Sequence, residues 1–123
     1  MESMRLIEIY QCLCDETRLR ILHLLTHGPL CVCHFQSVLG VPQTRVSQHL
    51  AYLRKRGLVE CTRRGTWMIY ALPANSPPEL EKHLRCLQDC VQSDQMFRSD
   101  LEKLREASAC GNQPEFLKSS CDC

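Results

Sequence analysis

The sequence predicts a mainly α-helical domain carrying one small β-hairpin, and three observations predict it. Apolar residues recur at helical spacing in five segments. Two short β-prone runs flank the turn sequence Arg63-Arg64-Gly65-Thr66. The length, 123 residues, suits one small domain and not two, and a composition of 44% hydrophobic and 24% charged residues is that of an ordinary globular chain.

The elements follow in order. Met4 to Cys12 has Leu6, Ile7, Ile9 and Tyr10 in a loosely helical pattern. Asp15 reads as the N-cap of a second helix, whose apolar face is Leu19, Ile21, Leu22, Leu24 and Leu25. Gly28-Pro29 stops it. A short third helix is expected from Cys31 to Leu39, ending at Gly40, with Val41-Pro42 as the turn. Gln43 to Arg56 is the clearest helix, because Val46, Leu50 and Leu53 fall at i, i+4 and i+7, and Gly57 closes it. Leu58 to Thr62 and Trp67 to Leu72 are the two strands. Pro73 to Pro78 is a break. Leu80, Leu84, Leu87 and Val91 then form the stripe of one long helix running to about Ala107. Residues 1–107 are thus expected to form the domain, and 108–123 a Cys-rich, loosely ordered tail.

A helix–turn–helix followed by a β-hairpin is a winged helix. The net charge of +1 hides a local excess on its recognition helix and wing. Between Gln43 and Arg64 stand Arg45, Arg54, Lys55, Arg56, Arg63 and Arg64 against a single acid, Glu60. One basic stretch in a neutral chain points to a local anionic partner. An α-helix fits the major groove of DNA, with its first turns facing base edges and phosphates. The DNA-facing candidates are therefore Gln43, Thr44, Arg45, Ser47, Gln48 and His49. Arg45 suits guanine, Gln48 adenine, and Thr44 and Ser47 a phosphate or a thymine methyl. Arg63 and Arg64 at the wing tip suit a phosphate or a minor groove. Arg54, Lys55 and Arg56 are weaker candidates, because cations also favour a helix C-terminus. Tyr52 fits either the core edge or a DNA contact.

The stretches LCDETRLRILHLL, LCVC and VPQTRVSQHLAYLRKRGLVECTRRGTWMIYAL resemble the ArsR/SmtB family of bacterial metal- and metalloid-responsive repressors. The resemblance spans roughly Leu6 to Leu87, and Cys31-Val32-Cys33 resembles the signature of the arsenic-responsive branch. It implies a homodimer joined through the first and last helices, which binds an inverted-repeat operator in double-stranded DNA. It also implies release of that DNA when an inducer, As(III) or Sb(III), binds cysteine thiolates.

Ten cysteines in 123 residues is an unusual count. The N-terminal stretch does not read as a secretory signal, so a cytoplasmic, reducing location is expected, where such cysteines serve metal or redox chemistry. Soft thiolates select thiophilic ions. Trivalent arsenic and antimony take three sulfurs in a pyramid. Cys31 and Cys33 are the family-matched pair, but two residues apart on a regular helix they point to different sides. Binding one ion with both is expected to require unwinding of the first helical turn. The branch's third cysteine position holds Gln36. The missing thiolate is expected from the tail, and the preferred set is Cys33 with Cys110 and Cys121 of the partner chain, Cys31 and Cys123 being substitutes. Cys14 and Cys61 read as packing, as do Cys86 and Cys90 despite His83 nearby; Cys12 is a weaker candidate to join Cys31 or Cys33.

Two alternatives use the same fold. One is a thiol redox switch through Cys31/Cys33 or a tail pair, with His34 the one basic neighbour of the pair. The other is a Cd-, Pb- or Zn-responsive repressor. No run reaches the roughly 18 apolar residues of a membrane span. No motif of nucleophilic or zinc catalysis is present, so the protein is not expected to be an enzyme.

Overall fold

The computed structural model describes residues 6–90 and 93–109. Among these, six helices and a three-stranded antiparallel sheet run in the order α1 (Leu6–Leu13), α2 (Glu16–Leu25), β1 (Leu30–Cys31), α3 (Val32–Leu39), α4 (Gln43–Lys55), β2 (Glu60–Arg64), β3 (Trp67–Ala71), α5 (Pro78–Cys90) and α6 (Gln95–Ala109). This is the winged helix–turn–helix that the periodicity predicts.

Capping sets the helix ends. Asp15 Oδ2 accepts from the Arg18 N–H at 3.0 Å and starts α2. Gly40, at φ 69°, takes the left-handed position that ends α3, its N–H bonding the Gln36 carbonyl. The turn into α4 then brings α3 and α4 together around Phe35, Val38, Val46, Leu50 and Leu53, all buried. Ile21, Leu22 and Leu24 of α2, Ile9 and Cys12 of α1 and Leu80 of α5 close the same core.

The sheet has a strand that period-2 patterning does not reveal. The two-residue β1 pairs with β3, Leu30 opposite Tyr70 and Cys31 opposite Ile69, so β3 lies in the middle of the sheet. The first strand of the hairpin sits two residues further along the chain than expected, while the second begins at Trp67 as expected. Leu58 and Val59 are drawn into the core, and β2 begins at Glu60. Arg63 and Arg64 are therefore strand residues, paired with Met68 and Trp67 around a two-residue Gly65-Thr66 turn. Gly65, at φ 63°, supplies the backbone that this tight turn requires.

The expected single long helix is two helices. Asp94 interrupts it: its Oδ1 accepts from the N–H groups of Met96 and Phe97, at 3.0 and 3.4 Å, and starts α6. Helix α6 folds back on α2. Phe97 and Leu104 are buried, and Asp100, 1% exposed, binds Arg20 through two hydrogen bonds of 2.9 and 2.8 Å. The stripe on α5 also has partners within the chain, since Leu80 and Leu84 are buried and Leu87 packs on the core. Val91 lies outside the described residues. The apolar side chains left exposed are instead mainly on α1: Leu6, Ile7 and Tyr10, each at least half exposed. No helix among the described residues is long and apolar enough to cross a membrane.

Candidate functional site

Cys31 does not lie in α3. It is the last residue of β1 and the N-cap of α3, with extended backbone at φ −97° and ψ 169°. The strand pairing holds it outside the helix, so its side chain can face the first turn. Its Sγ faces the His34 N–H in a capping-box arrangement and lies 3.2 Å from His34 Nδ1, a contact whose direction the His34 tautomer sets; the Cys31 backbone nitrogen lies 3.3 Å from the same Nδ1. Cys33 comes from the same turn. One ligand atom each from Cys31, Cys33 and His34 lies within 4.8 Å of the others, the one such group of three among the described residues. The expected unwinding of the helix is therefore unnecessary: the two thiols converge because one of them precedes the helix.

The electrostatics favour one thiolate. Burial alone raises the Cys31 thiol, but hydrogen bonds from His34 and Cys33, with the backbone at the helix start, bring it down to about 7. Although Cys33 is exposed to solvent overall, partial desolvation of its thiol within the cluster and the neighbouring Cys31 push it up to about 12. Cys31 and His34 are buried, whereas Cys33 is exposed. Such a site offers two sulfurs and a nitrogen to a soft ion. It opens on a cavity of about 250 Å³. Gln36 lines the cavity from α3, Gln43 from the start of α4, and Trp67 and Met68 from β3. The cysteine pair thus shares a wall with the first residue of the recognition helix and with the wing.

The polar face of α4 lies where the periodicity places it. Gln43, Thr44, Arg45 and Gln48 are exposed, and Ser47 is half-buried. His49 differs: it is half-buried and turned toward α2, with Nε2 4.0 Å from Asp15 Oδ2. Arg63 and Arg64 are exposed on the wing, Arg63 Nε donating to the Gly65 carbonyl at 3.2 Å. Arg56 has a structural post. Its guanidinium lies 3.6 Å from the Tyr52 ring centroid and that of Arg18 lies 4.1 Å from it, so Tyr52 is held by two cations. Arg18 also donates to the carbonyls of Cys12 and Gln11, tying α1 to α2.

Cys110, Cys121 and Cys123, the expected tail ligands, lie outside the described residues. Of the cysteines read as packing, Cys14, Cys86 and Cys90 are exposed, while Cys61 is half-buried. Cys12 is fully buried in the core. Two residues of the site have no place in the sequence-based candidate set. His34 has a signal, since it stands three residues after Cys31, the capping-box spacing. Trp67 has none, because only the β1–β3 pairing brings it beside the cysteines.

The model of the bacterial regulatory protein, arsR family, matches residues 15–60. The chain is 39% identical over 92 residues to the arsenical resistance operon repressor of Escherichia coli (strain K12), covering 71% of this chain and 79% of that one. HlyU from Vibrio cholerae N16961 shares the fold with a TM-score of 0.61 at 31% identity, covering 68% of this chain and 87% of the other. The cadmium metal-sensor CMTR from Mycobacterium tuberculosis superposes with a TM-score of 0.54 at 34% identity, covering 71% and 84%.

Proposed function

The chain belongs to the arsR family of bacterial regulatory proteins, winged-helix transcription regulators, and on that premise we propose that it is a repressor whose inducer is trivalent arsenic or antimony. The observation that carries this is the convergence of Cys31, Cys33 and His34 at the start of α3. Two thiols within one ion's reach suit a thiophilic, pyramidal ion, and a third thiolate from Cys110, Cys121 or Cys123, from the same or the partner chain, completes it. The kinship with an arsenical resistance operon repressor supports the same inducer class.

The free protein acts as a homodimer that presents two α4 helices to an inverted-repeat operator. The exposed Leu6, Ile7 and Tyr10 of α1 support an interface through that helix. Gln43, Thr44, Arg45, Ser47 and Gln48 contact DNA from α4, and Arg63 and Arg64 from the wing; His49 contributes by fixing α4 against Asp15. Inducer binding reshapes the β1–α3 junction. Cys31 pairs with Ile69, and the cavity beside it is walled by Gln43 and Trp67, so both DNA-contacting elements shift together. A coupling of a few kcal/mol between the two ligands gives the switch.

A second reading has its own support. The His34 nitrogen in the cluster suits zinc or cadmium, which take four ligands including imidazole, and a cadmium sensor is among the similar structures. Operator binding of the reduced protein, followed by fluorescence anisotropy, separates the two. Release by arsenite or antimonite alone is the result expected. Release by zinc or cadmium alone would transfer the site to a four-ligand metal sensor, and loss of binding only on oxidation would leave a thiol switch.

A further inference from the structure

We propose that Arg18 is a positioning residue for DNA binding: through Tyr52 it fixes the recognition helix α4 to the end of α1, and so sets the separation at which a dimer presents its two α4 helices. The proposal rests on the reading that α1 joins the protomers and that α4 contacts the operator; it adds the part that holds one to the other.

Arg18 lies in the first turn of α2, but its side chain serves two other helices. The last carbonyls of a helix have no donor within it. Arg18 Nε donates to the Cys12 carbonyl at 3.2 Å and Nη2 to the Gln11 carbonyl at 3.0 Å, so the guanidinium closes α1 and meets the negative end of its dipole. The same guanidinium stands over the Tyr52 ring of α4, 4.1 Å from its centroid. Helices α1 and α4 each pack on α2, and Arg18 joins them directly. Arg56 holds the ring from α4 itself, 3.6 Å from the centroid, with Nη1 donating to the Tyr52 carbonyl at 3.1 Å.

A second contact removes the remaining freedom. Three residues before Arg18 and three before Tyr52, Asp15 Oδ2 faces His49 Nε2 at 4.0 Å. Asp15 and Arg18 thus meet His49 and Tyr52, neighbours one turn apart on α4. One contact would let α4 pivot; two fix its direction relative to α2 and α1. That direction matters in a dimer, whose two recognition helices must enter major grooves about 34 Å apart. A two-fold axis applies any tilt of α4 on α1 twice, so a small error at Tyr52 becomes a mismatch with the half-site spacing. Arg18 is half-buried and belongs to α2, whereas the DNA-facing residues lie on α4 and the wing, so it aims them rather than touching DNA.

The test uses the full, reduced chain and an operator selected by the unaltered protein from a random duplex pool. Anisotropy measures binding to that duplex, to versions with the half-sites moved by one or two base pairs, and to a single half-site, each across a salt series. Arg18→Met keeps the stem and removes the donors and the charge. It is expected to weaken binding to the selected operator about tenfold, leave the single half-site within about twofold, and flatten the preference for one spacing. Tyr52→Leu, which leaves the α1 carbonyls capped, is expected to do the same and stands in should Arg18→Met not fold. The double variant is expected to bind no worse than the poorer-binding single variant, since both break one link. Equal loss on operator and half-site, additive losses, an unchanged spacing preference, or a salt slope lowered by about one, the mark of a phosphate contact, overturns the proposal. If the unaltered protein binds the half-site as well as the whole operator, the reading of the dimer itself fails.

Discussion

Cys31 stands opposite Ile69 in the β1–β3 ladder, so the residue that opens the cysteine site also belongs to the sheet of the wing. Hydrogen bonding transmits a displacement of Cys31 into β3, and through β3 into the paired strand that carries Arg63 and Arg64. If the inducer binds at the cysteines, as proposed, the ladder offers it a route to the wing that does not pass through the core. Amide hydrogen exchange over Trp67–Ala71 should change on adding arsenite to the reduced protein. Exchange that changes only in α3 would contradict coupling through the sheet.

Arg45 and Gln48 are exposed one helical turn apart on α4. Arg45→Ala or Gln48→Ala should each weaken operator binding by about 1–3 kcal/mol and relax base preference at one position. Arg63→Ala should instead weaken binding to all sequences and lower the dependence on salt, because a phosphate contact releases counterions. Competition between operator and scrambled duplex across a salt series distinguishes the two effects.

The Arg20–Asp100 pair fastens α6 to α2, with Asp100 1% exposed. Removing one member of a buried pair costs roughly 3–5 kcal/mol, because the other charge is stranded. Arg20 retains Glu16 at 3.6 Å and some solvent, so Asp100→Ala should lie near the lower end. Urea denaturation of the variant measures it, and a loss within error of zero would show that α6 does not need this tie.

Stability should fall in mild acid through His23. Burial and the adjacent His27 hold this imidazole below its ordinary range, against an opposing influence from Asp100. Both ring nitrogens are buried without a hydrogen-bond partner among the described residues, and the ring packs edge-on to Phe97. The unfolded chain takes up this proton near about pH 6.5, while the folded chain does so only at lower pH. Below that point the unfolded state binds more protons, so stability declines as pH falls. Thermal melts from about pH 7.5 to 5.5 should show a falling midpoint. His23→Phe should flatten the slope in part, His27 being shifted in the same direction.

The fold was legible wherever a local rule decided it. Val46, Leu50 and Leu53 mark α4, Asp15 starts α2, and Gly40 ends α3. Where tertiary contacts competed with a local pattern, the pattern lost. The helical stripe from Leu80 runs on past Cys90 in sequence, yet Asp94 caps a new helix and Asp100 finds Arg20. Leu58 reads as strand because it is apolar, but the core claims it and the first strand of the hairpin starts two residues later. The cysteine pair was legible as a motif and illegible as a geometry. Treated as helical, Cys31 and Cys33 diverge; they converge because a two-residue strand, too short to leave a periodic signal, holds Cys31 outside the helix.

The central claim is that inducer binds at Cys33 and Cys31 and thereby lowers operator affinity. Titrating arsenite into the reduced protein on labelled operator, alongside Cys33→Ser, tests it most directly. The account predicts that arsenite releases the unaltered protein, and that Cys33→Ser binds operator equally well but is no longer released. Release of the Cys33→Ser protein at the same arsenite concentration would contradict it.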